Sequence, residues 1–248
     1  MLHEPTTEKL YEMRLSVMAD AWAAQQKDTK VGSLGFDERF ALLVDAEHLA
    51  RDNRRLARLL KDAGLRIPNA CIEDVRVSPQ HGLDKSMVRQ LGSCAWIGEH
   101  LNVLITGLTG VGKSYLACAL GQAACRRGLR VMYRRVPRLF DELALGRADG
   151  SYARVLSRLA KADVLILDDL GLGAPKEAQR HDLLEVLEDR YGRTSTIITS
   201  QLDVKKWHEW IGDPTVADAI LDRVVHNAFK LPISGPSERE RKGKGAKS

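Results

Sequence analysis

The sequence predicts an α/β protein in which a parallel sheet flanked by helices is preceded by a small all-helical domain. Residues 1 to 85 contain helical patterns and no strand-like run, whereas from residue 101 short apolar runs alternate with helical ones. That alternation is typical of parallel strands joined by crossover helices. A glycine-rich segment, GLTGVGKS at residues 107 to 114, separates the first apolar run from the helix that follows it.

Composition indicates a globular protein of the cytoplasm. The 248 residues are 44% hydrophobic and 29% charged, which is ordinary for a chain with a large core. No apolar run approaches the 18 or so residues that cross a bilayer, and the polar N-terminus does not resemble a signal peptide. We therefore expect no membrane association. The four cysteines match neither a metal site nor a disulfide framework, and we expect reduced thiols.

The helical N-terminal domain is assigned to residues 1–85. A long helix is predicted from Phe36, with Asp37 and Glu38 in its first turn, to Gly64, which stops it. One face of this helix is apolar and the other is rich in arginine. The domain is expected to serve self-association or DNA binding.

Residues 86–235 are assigned to the α/β domain. Its first four predicted strands are LNVLIT, RVMYRR, DVLILDDL and TSTIITS, and AFKLPI can supply a fifth. The runs between them have helical character, beginning with the alanine-rich KSYLACALGQAACRR. Residues 236–248 lack apolar anchors and are predicted to form a basic, disordered tail.

The glycine-rich segment fits the phosphate-binding pattern GxxxxGK[ST], and its position between a strand and a helix is the context that this pattern requires. A glycine turn beside a solvated lysine is the alternative. Backbone N–H groups at a helix N-terminus can surround a phosphate, Lys113 can reach the β- and γ-phosphates, and the Ser114 hydroxyl can ligate Mg²⁺. Trp96 and Ile97 could line an adenine pocket. The predicted ATP-binding residues are Gly107, Leu108, Thr109, Gly110, Val111, Gly112, Lys113, Ser114, Ser200 and Gln201.

Two later strands end in polar groups suited to the same site. The run VLILDD ends in Asp168, which with Ser114 is predicted to hold Mg²⁺, and Asp169, which is predicted to orient or deprotonate the attacking water. The run TSTIITSQ ends at residues 199–201, where a polar side chain could sense the γ-phosphate. Because strand ends are often polar, this last assignment has an open alternative.

Arg223 completes the predicted catalytic set of Lys113, Asp168, Asp169 and Arg223. It stands near the end of the helical run DAILDRVVHNA. From there it could reach the γ-phosphate bound to a neighbouring subunit, as an arginine finger does. The alternative is an arginine that is merely favoured at a helix C-terminus by the helix dipole.

A basic cluster predicts contact with DNA. Residues 126–138 carry six arginines and no acid, which suits phosphate contacts with duplex DNA. A solvated helix end and strand edge would give the same pattern, and residues 51–66 are open to the same two readings. The predicted DNA-binding residues are Arg126, Arg127, Arg130, Arg134, Arg135 and Arg138.

These features together resemble a known family. The chain is similar to the IstB-like ATP-binding helpers of transposition that bacterial insertion sequences encode, and its core resembles the DnaC helicase loaders of the AAA+ group. The segments that carry the resemblance are ERFALLVDAEHLARDNRRLARLLKDAGLR, GLTGVGKSYLACALGQAA, VPRLFDELALGRADGS, ADVLILDDLG, LLEVLEDRYGRTSTIITSQL and WHEWIGDPTVADAILDRVVHNA.

The resemblance implies an AAA+ P-loop ATPase that uses Mg-ATP, forms homo-oligomers with ATP sites between subunits, binds DNA and delivers it to a transposase. Asp169 departs from the glutamate of most AAA+ ATPases, which implies slow, regulatory hydrolysis. Arg239 in the tail is only a candidate nucleotide sensor. A DnaC-like replicative helicase loader, a metabolic kinase and a scaffold without hydrolysis are the alternatives.

Overall fold

The structure is a computed structural model that describes residues 3–28, 30–77 and 82–236. Its secondary structure confirms the predicted fold class: helices come first, followed by strands and helices in alternation. Arg239 and the predicted tail beyond Pro236 lie outside the described residues. Every helix in the described part of the chain is too short or too polar to cross a membrane.

The chain divides into two compact units between Arg58 and Leu59. The predicted domain boundary near residue 85 is therefore not where the compact units part. The segment that follows the division belongs to the second unit because its apolar side chains are buried there, among them Leu65, Ala70 and Leu83.

In the residues described, the first unit contains the α-helices α1 (His3–Glu12), α2 (Ser16–Gln25) and α3 (Phe36–Ala63), the last of which runs on past the division. Glu47 on α3 is buried and accepts hydrogen bonds from the backbone N–H groups of Val17 and Met18, at 3.0 and 3.1 Å. These are orphan donors in the first turn of α2. The carboxylate also accepts from Arg51 Nε at 2.9 Å, so Glu47 joins α2 to α3.

The second unit alternates strands with helices. Its elements in chain order are α4 (Lys85–Gly92), α5 (Ala95–Gly98), β1 (Asn102–Thr106), α6 (Lys113–Arg126), β2 (Val131–Arg135), α7 (Val136–Asp149), α8 (Tyr152–Ala160), β3 (Val164–Leu170), α9 (Glu177–Glu188), β4 (Ser195–Ser200), α10 (Trp207–Ile211), α11 (Pro214–Val225) and β5 (Ala228–Pro232).

The five strands form one parallel sheet in the order β2-β3-β4-β1-β5. Strands β1 and β4 are buried at every residue because helices cover both faces of the sheet. In the register, Thr106 at the end of β1 lies opposite Ser200 at the end of β4, and Ser200 also lies opposite Leu170 of β3. The carboxyl ends of these three strands therefore meet at one edge.

Arg190 secures the opposite edge of the sheet. Its guanidinium is fully buried and donates to the carbonyl oxygens of Leu159 and Ala162 at 2.6 and 2.9 Å, and to Thr196 Oγ1 at 3.1 Å. Burial lowers the pKa of this guanidinium. Arg190 thus ties the connection before β3 to the start of β4.

The four cysteines are free thiols. Cys118 and Cys125 lie on the buried face of α6, and burial raises the pKa of each thiol to about 11. They therefore pack as small apolar side chains.

Candidate nucleotide-binding site

The phosphate loop occupies residues 107–112, between the end of β1 and the start of α6. Gly107, Gly110 and Gly112 have φ values of 147°, 90° and 104°, which lie in the region that favours glycine. A Cβ atom on Gly107 would lie 2.0 Å from the carbonyl oxygen of Ile233. The loop can pass this close to the chain after β5 only because residue 107 has no side chain.

Lys113 and Ser114 open helix α6 behind this loop. The Lys113 ammonium is largely buried and donates to the carbonyl oxygens of Gly107 and Leu108, at 2.7 and 2.8 Å. The Ser114 hydroxyl donates to the Asp168 carboxylate at 2.8 Å. The structure therefore brings Ser114 of the motif and the carboxylate of β3 together.

Asp168 is fully buried at the end of β3. Besides the Ser114 bond, its carboxylate accepts from the hydroxyl of Tyr133 at 2.6 Å and from the hydroxyl of Thr199. Burial, and then the hydrogen bond to Asp168, raise the pKa of Tyr133 above its ordinary value. Tyr133 is thus a permanent donor that fixes the carboxylate.

Asp169 has a backbone conformation unusual for a side-chain-bearing residue, with φ at 65°. The pairing of β3 with β4 shifts register between Leu167 and Leu170, and the Asp169 N–H donates to Thr199 Oγ1 at 3.0 Å. The bulge turns two consecutive acidic residues toward the same edge of the sheet.

Two arginines face this acidic pair. Arg135, the last residue of β2, donates from Nε to Asp169 Oδ2 at 2.9 Å. Arg66 reaches both carboxylates, with Nη1 at 3.5 Å from Asp168 and 3.4 Å from Asp169. Two guanidiniums thus balance two carboxylates at the carboxyl edge of the sheet.

A cavity of about 380 Å³ adjoins the loop and includes Asp169 and Gln201 in its wall. The apolar residues of its wall come from the chain before the first strand and after the last one. Ile67, Val75 and Leu83 precede β1, and Ile233 follows β5. Such a mixture of an apolar wall and a phosphate loop suits a nucleotide.

The predicted adenine contacts, Trp96 and Ile97, are buried and do not belong to the cavity wall. The Trp96 indole N–H donates to the Leu91 carbonyl at 2.9 Å, which shows a packing role. The sequence analysis therefore did not predict that apolar residues before α4, such as Ile67 and Val75, line the cavity. Their signal in the sequence is weak, because they are scattered among turn-forming residues.

The polar end of β4 has two different roles. Thr199 is buried between Asp168 and Asp169, whereas Gln201 lies in the cavity wall. Ser200 is buried, and its hydroxyl donates to the Leu170 carbonyl and accepts from the Leu202 N–H. Among the described residues that line the cavity, Ser200 does not occur.

Arg223 lies at the opposite edge of the sheet from Lys113. The side chain of Asn102, the first residue of β1, donates to the Arg223 carbonyl at 3.2 Å, whereas the phosphate loop follows the last residue of β1. The Arg223 guanidinium pairs with Glu188. Within one chain, Arg223 is therefore not close to the phosphate loop.

The predicted DNA-binding arginines do not form one uniform surface. Carboxylates from elsewhere in the chain pair with four of the six, as Glu73 does with Arg126 and Glu142 with Arg134. Arg130 pairs with Asp163, and the fourth, Arg135, belongs to the nucleotide site. The DNA-binding role of the cluster stays a prediction.

The strand order, the phosphate loop and the two acidic residues that end β3 define a P-loop protein of the AAA+ class. DnaA from Aquifex aeolicus, solved with AMPPCP, has the same fold, with a TM-score of 0.59 and 20% identity over 74% of this chain and 55% of that chain. The DnaC helicase loader matches with a TM-score of 0.53 and 22% identity, over 67% of this chain and 97% of its own.

Sequence comparison identifies the family within that class. Residues 8–246 match the model of the IstB-like ATP-binding proteins. An insertion sequence ATP-binding protein of Sinorhizobium fredii is 51% identical over 239 residues, covering 96% of this chain and 97% of the relative. The chain belongs to the IstB-like ATP-binding family.

Proposed function

We propose that this protein is a Mg²⁺-dependent ATPase that serves as a DNA-binding helper of transposition. The observation that carries the ATPase assignment is the 2.8 Å contact between the Ser114 hydroxyl and the Asp168 carboxylate, directly beside Lys113 at the start of α6. P-loop ATPases hold a Mg-nucleotide with a serine or threonine, a carboxylate and a lysine in this arrangement.

The residues present fit Mg²⁺. Ser114 and Asp168 offer hard oxygen donors, and Mg²⁺ usually binds one or two carboxylates together with phosphates and water. Within the described residues, no group of three or more His, Cys, Asp and Glu side chains could form a separate metal cage. Ser114 would ligate the ion and Asp168 would hold it through water, and the bound ion would neutralise phosphate charge.

ATP would bind with its phosphates in the loop and its base against the apolar wall. The N–H groups of residues 108–114 and the dipole of α6 favour the phosphate charge. Lys113, whose ammonium contacts two loop carbonyls, lies within reach of phosphates held there. Ile67 and Val75 would pack against the adenine.

Asp169 would orient the water that attacks the γ-phosphate. Its carboxylate belongs to the cavity wall, as does the side chain of Gln201, which would sense the γ-phosphate. An aspartate has a shorter reach than the glutamate of most AAA+ ATPases. Hydrolysis is therefore expected to be slow and to release an assembly that ATP binding stabilises.

The position of Arg223 supports assembly into an oligomer. Because Arg223 lies at the edge of the sheet away from its own phosphate loop, it can contact a γ-phosphate only in a neighbouring subunit. The proposed active form is a homo-oligomer with ATP between subunits, and Arg223 would leave Glu188 to act as a finger in trans.

The partners are proposed from the relatives. Proteins named for insertion sequences match nearly the whole chain, including one that is 51% identical, and this supports a transposase as the partner. DnaA, which shares the fold, has been solved with single-stranded DNA. We propose duplex DNA as the target here, contacted by the predicted arginine cluster.

Mixing of inactive variants tests the shared site. Lys113→Ala and Arg223→Ala are each expected to lose ATPase activity, and an equimolar mixture is expected to regain part of it, because mixed interfaces unite an intact loop with an intact finger. A mixture of Lys113→Ala and Asp169→Asn is the control, since both defects lie in the same half of the site. If Arg223→Ala keeps full activity, or the first mixture stays inactive, the shared site is refuted.

A DnaC-like helicase loader is the second candidate, because the fold matches that loader over 97% of its length. Capture experiments with purified partners distinguish the two candidates. Retention of the cognate transposase in the presence of ATP supports the transposition helper, and retention of the replicative helicase alone would replace it with the loader.

A further inference from the structure

A groove of about 390 Å³ lies at the β2 edge of the sheet, and all of its lining residues belong to the second unit. Among the described strands, β2 pairs with β3 alone, so this edge of the sheet carries no further strand. The end of α3, the start of β2 and the outer side of α8 bound the groove. It shares no lining residue with the nucleotide cavity and is therefore a separate site.

The floor of this groove is apolar. Its least exposed lining residues are Val131 and Ala162, which are buried, and Leu59 and Met132, which are half-buried. We refer to these four residues as the floor. Because apolar surface leaves water favourably, a partner gains binding free energy by placing an apolar side chain against them.

The rim of the groove is basic. Four exposed cations line it, against one acidic side chain, that of Asp62. Three of the four lie along the outer face of α8 and at its C-terminal cap, while Val155 and Leu159 on the opposite face pack in the core. The four cations are Arg130, Arg154, Arg158 and Lys161.

Contacts within the chain account for only part of this charge. Arg130 and Arg158 pair with carboxylates that do not line the groove. Among the residues that the structure describes, no carboxylate lies within ion-pair distance of Arg154 or Lys161. Arg154 also lies in the first turn of α8, where the helix dipole opposes a cation. The fold itself therefore does not explain the charge at this position.

We propose that the groove is a docking site for an acidic segment of the partner transposase, which places a large apolar side chain on the floor and carboxylates against the rim. The identity of the partner rests on the proposed function. Protein interfaces combine an apolar centre with a polar rim, and opposite charges steer and orient the partners. Duplex DNA would match the rim but would leave the floor uncovered, because its phosphates lie on the outside of the helix. The floor therefore favours a protein segment.

Reversal of charge tests the rim. The full-length protein is titrated with purified cognate transposase in the presence of ATP, at two salt concentrations. Arg154→Glu combined with Lys161→Glu is expected to weaken transposase binding at least about tenfold, most strongly at low salt, because the carboxylates of the partner then meet like charges. Lys205→Glu combined with Lys206→Glu is the control, because it makes the same change of charge at exposed residues outside the groove.

Filling the groove tests the floor. Ser157→Trp places an indole in the groove without changing its charge, and it is expected to weaken transposase binding at least about tenfold, because the indole takes the place of the partner's apolar side chain. Ala153→Trp is the matched control, since Ala153 is exposed on the same helix but does not line the groove. The ATPase rate and the melting temperature of all these variants should equal those of the wild type.

Overlapping peptides that cover the transposase sequence identify the docked segment. The peptide that binds the wild type is expected to be acidic, to contain a large apolar residue and to lose binding to both groove variants. A basic peptide that binds equally to wild type and variants would overturn the proposal.

Duplex DNA affinity, measured for the same variants, distinguishes the other class of ligand. A loss of DNA affinity as large as the loss of transposase affinity in the charge-reversed variant would assign the rim to DNA and overturn the proposal. Equal transposase binding by the wild type and both groove variants overturns the docking site alone. A wild type that retains no transposase overturns the proposed partner as well.

Discussion

At the scale of single residues, the proposed ATPase separates binding from hydrolysis. Lys113 opens α6 directly behind the phosphate loop, and Asp169 belongs to the wall of the same cavity. Loss of either side chain should stop turnover, but for different reasons, and nucleotide-binding measurements distinguish them.

Lys113→Ala is expected to weaken ATP binding at least tenfold, which corresponds to about 1.4 kcal/mol, because a charged donor to the phosphates is lost. Titration with a fluorescent ATP analogue measures this effect. An unchanged affinity would mean that the Lys113 ammonium does not bind the phosphates.

Asp169→Asn is expected to bind ATP as the wild type does and to hydrolyse it roughly 10²- to 10⁴-fold more slowly, the range that a positioned acid or base contributes. Parallel measurement of binding and of phosphate release checks both halves of this prediction. Turnover equal to that of the wild type would remove Asp169 from the mechanism.

The sequence predicted Lys113, Ser114 and Asp168 because each belongs to a short pattern with a fixed mechanism. It did not predict Arg66 or Arg135 as partners of the acidic pair. Their contacts join positions 34 and 103 residues apart. The pairing of β2 with β3 brings Arg135 to the pair, whereas Arg66 lies in the connection between α3 and α4. In the sequence, Arg135 belongs to the arginine cluster of residues 126–138, which predicts contact with DNA instead.

At the scale of elements, the phosphate loop depends on the chain that follows β5. Gly107→Ala places a Cβ against the Ile233 carbonyl at 2.0 Å in a conformation that alanine rarely adopts. We expect loss of ATP binding and a lower melting temperature. Gly98→Ala in α5 is the control, because a Cβ there meets nothing within 4 Å. Equal behaviour of the two variants would contradict the close approach.

Glu47 should control the pH dependence of the first unit. The hydrogen bond from Arg51, and then the amides of Met18 and Val17, hold the pKa of Glu47 below its usual value of 4.5. Because the pKa of Glu47 is lower in the folded state than in the unfolded state, its ionised carboxylate stabilises the fold at pH values above the unfolded-state pKa. This contribution is lost as the pH falls through the folded-state pKa.

Glu47→Gln is therefore expected to lower the melting temperature of the first unit by several degrees at pH 7 and by much less near pH 3. Thermal unfolding followed by circular dichroism measures the difference, with Asp45→Asn on the exposed side of the same helix as control. A loss of equal size at both pH values would exclude the ionised carboxylate as its cause.

At the scale of the whole molecule, the alternation of strands and helices was enough to predict the class of fold. The spacing of apolar residues and the turn residues that separate the elements are both local properties of the sequence. The strand order and the limits of the compact units depend on contacts between residues far apart in the sequence, which a local pattern does not contain. The sequence pattern assigns residues 1–85 to the helical domain, yet the described residues from Leu59 onward belong to the second compact unit. Among them, Leu65 and Ala70 are buried, and Ile67, Val75 and Leu83 line the cavity.

The most direct test of an ATP-switched assembly on DNA is sedimentation velocity of the wild type and Lys113→Ala with duplex DNA, in ATP, ADP or no nucleotide, at two salt concentrations. We expect large DNA-bound assemblies only for the wild type with ATP, and fewer of them at high salt, because phosphate contacts weaken with salt. A wild type that remains small in every condition would contradict the proposed mechanism.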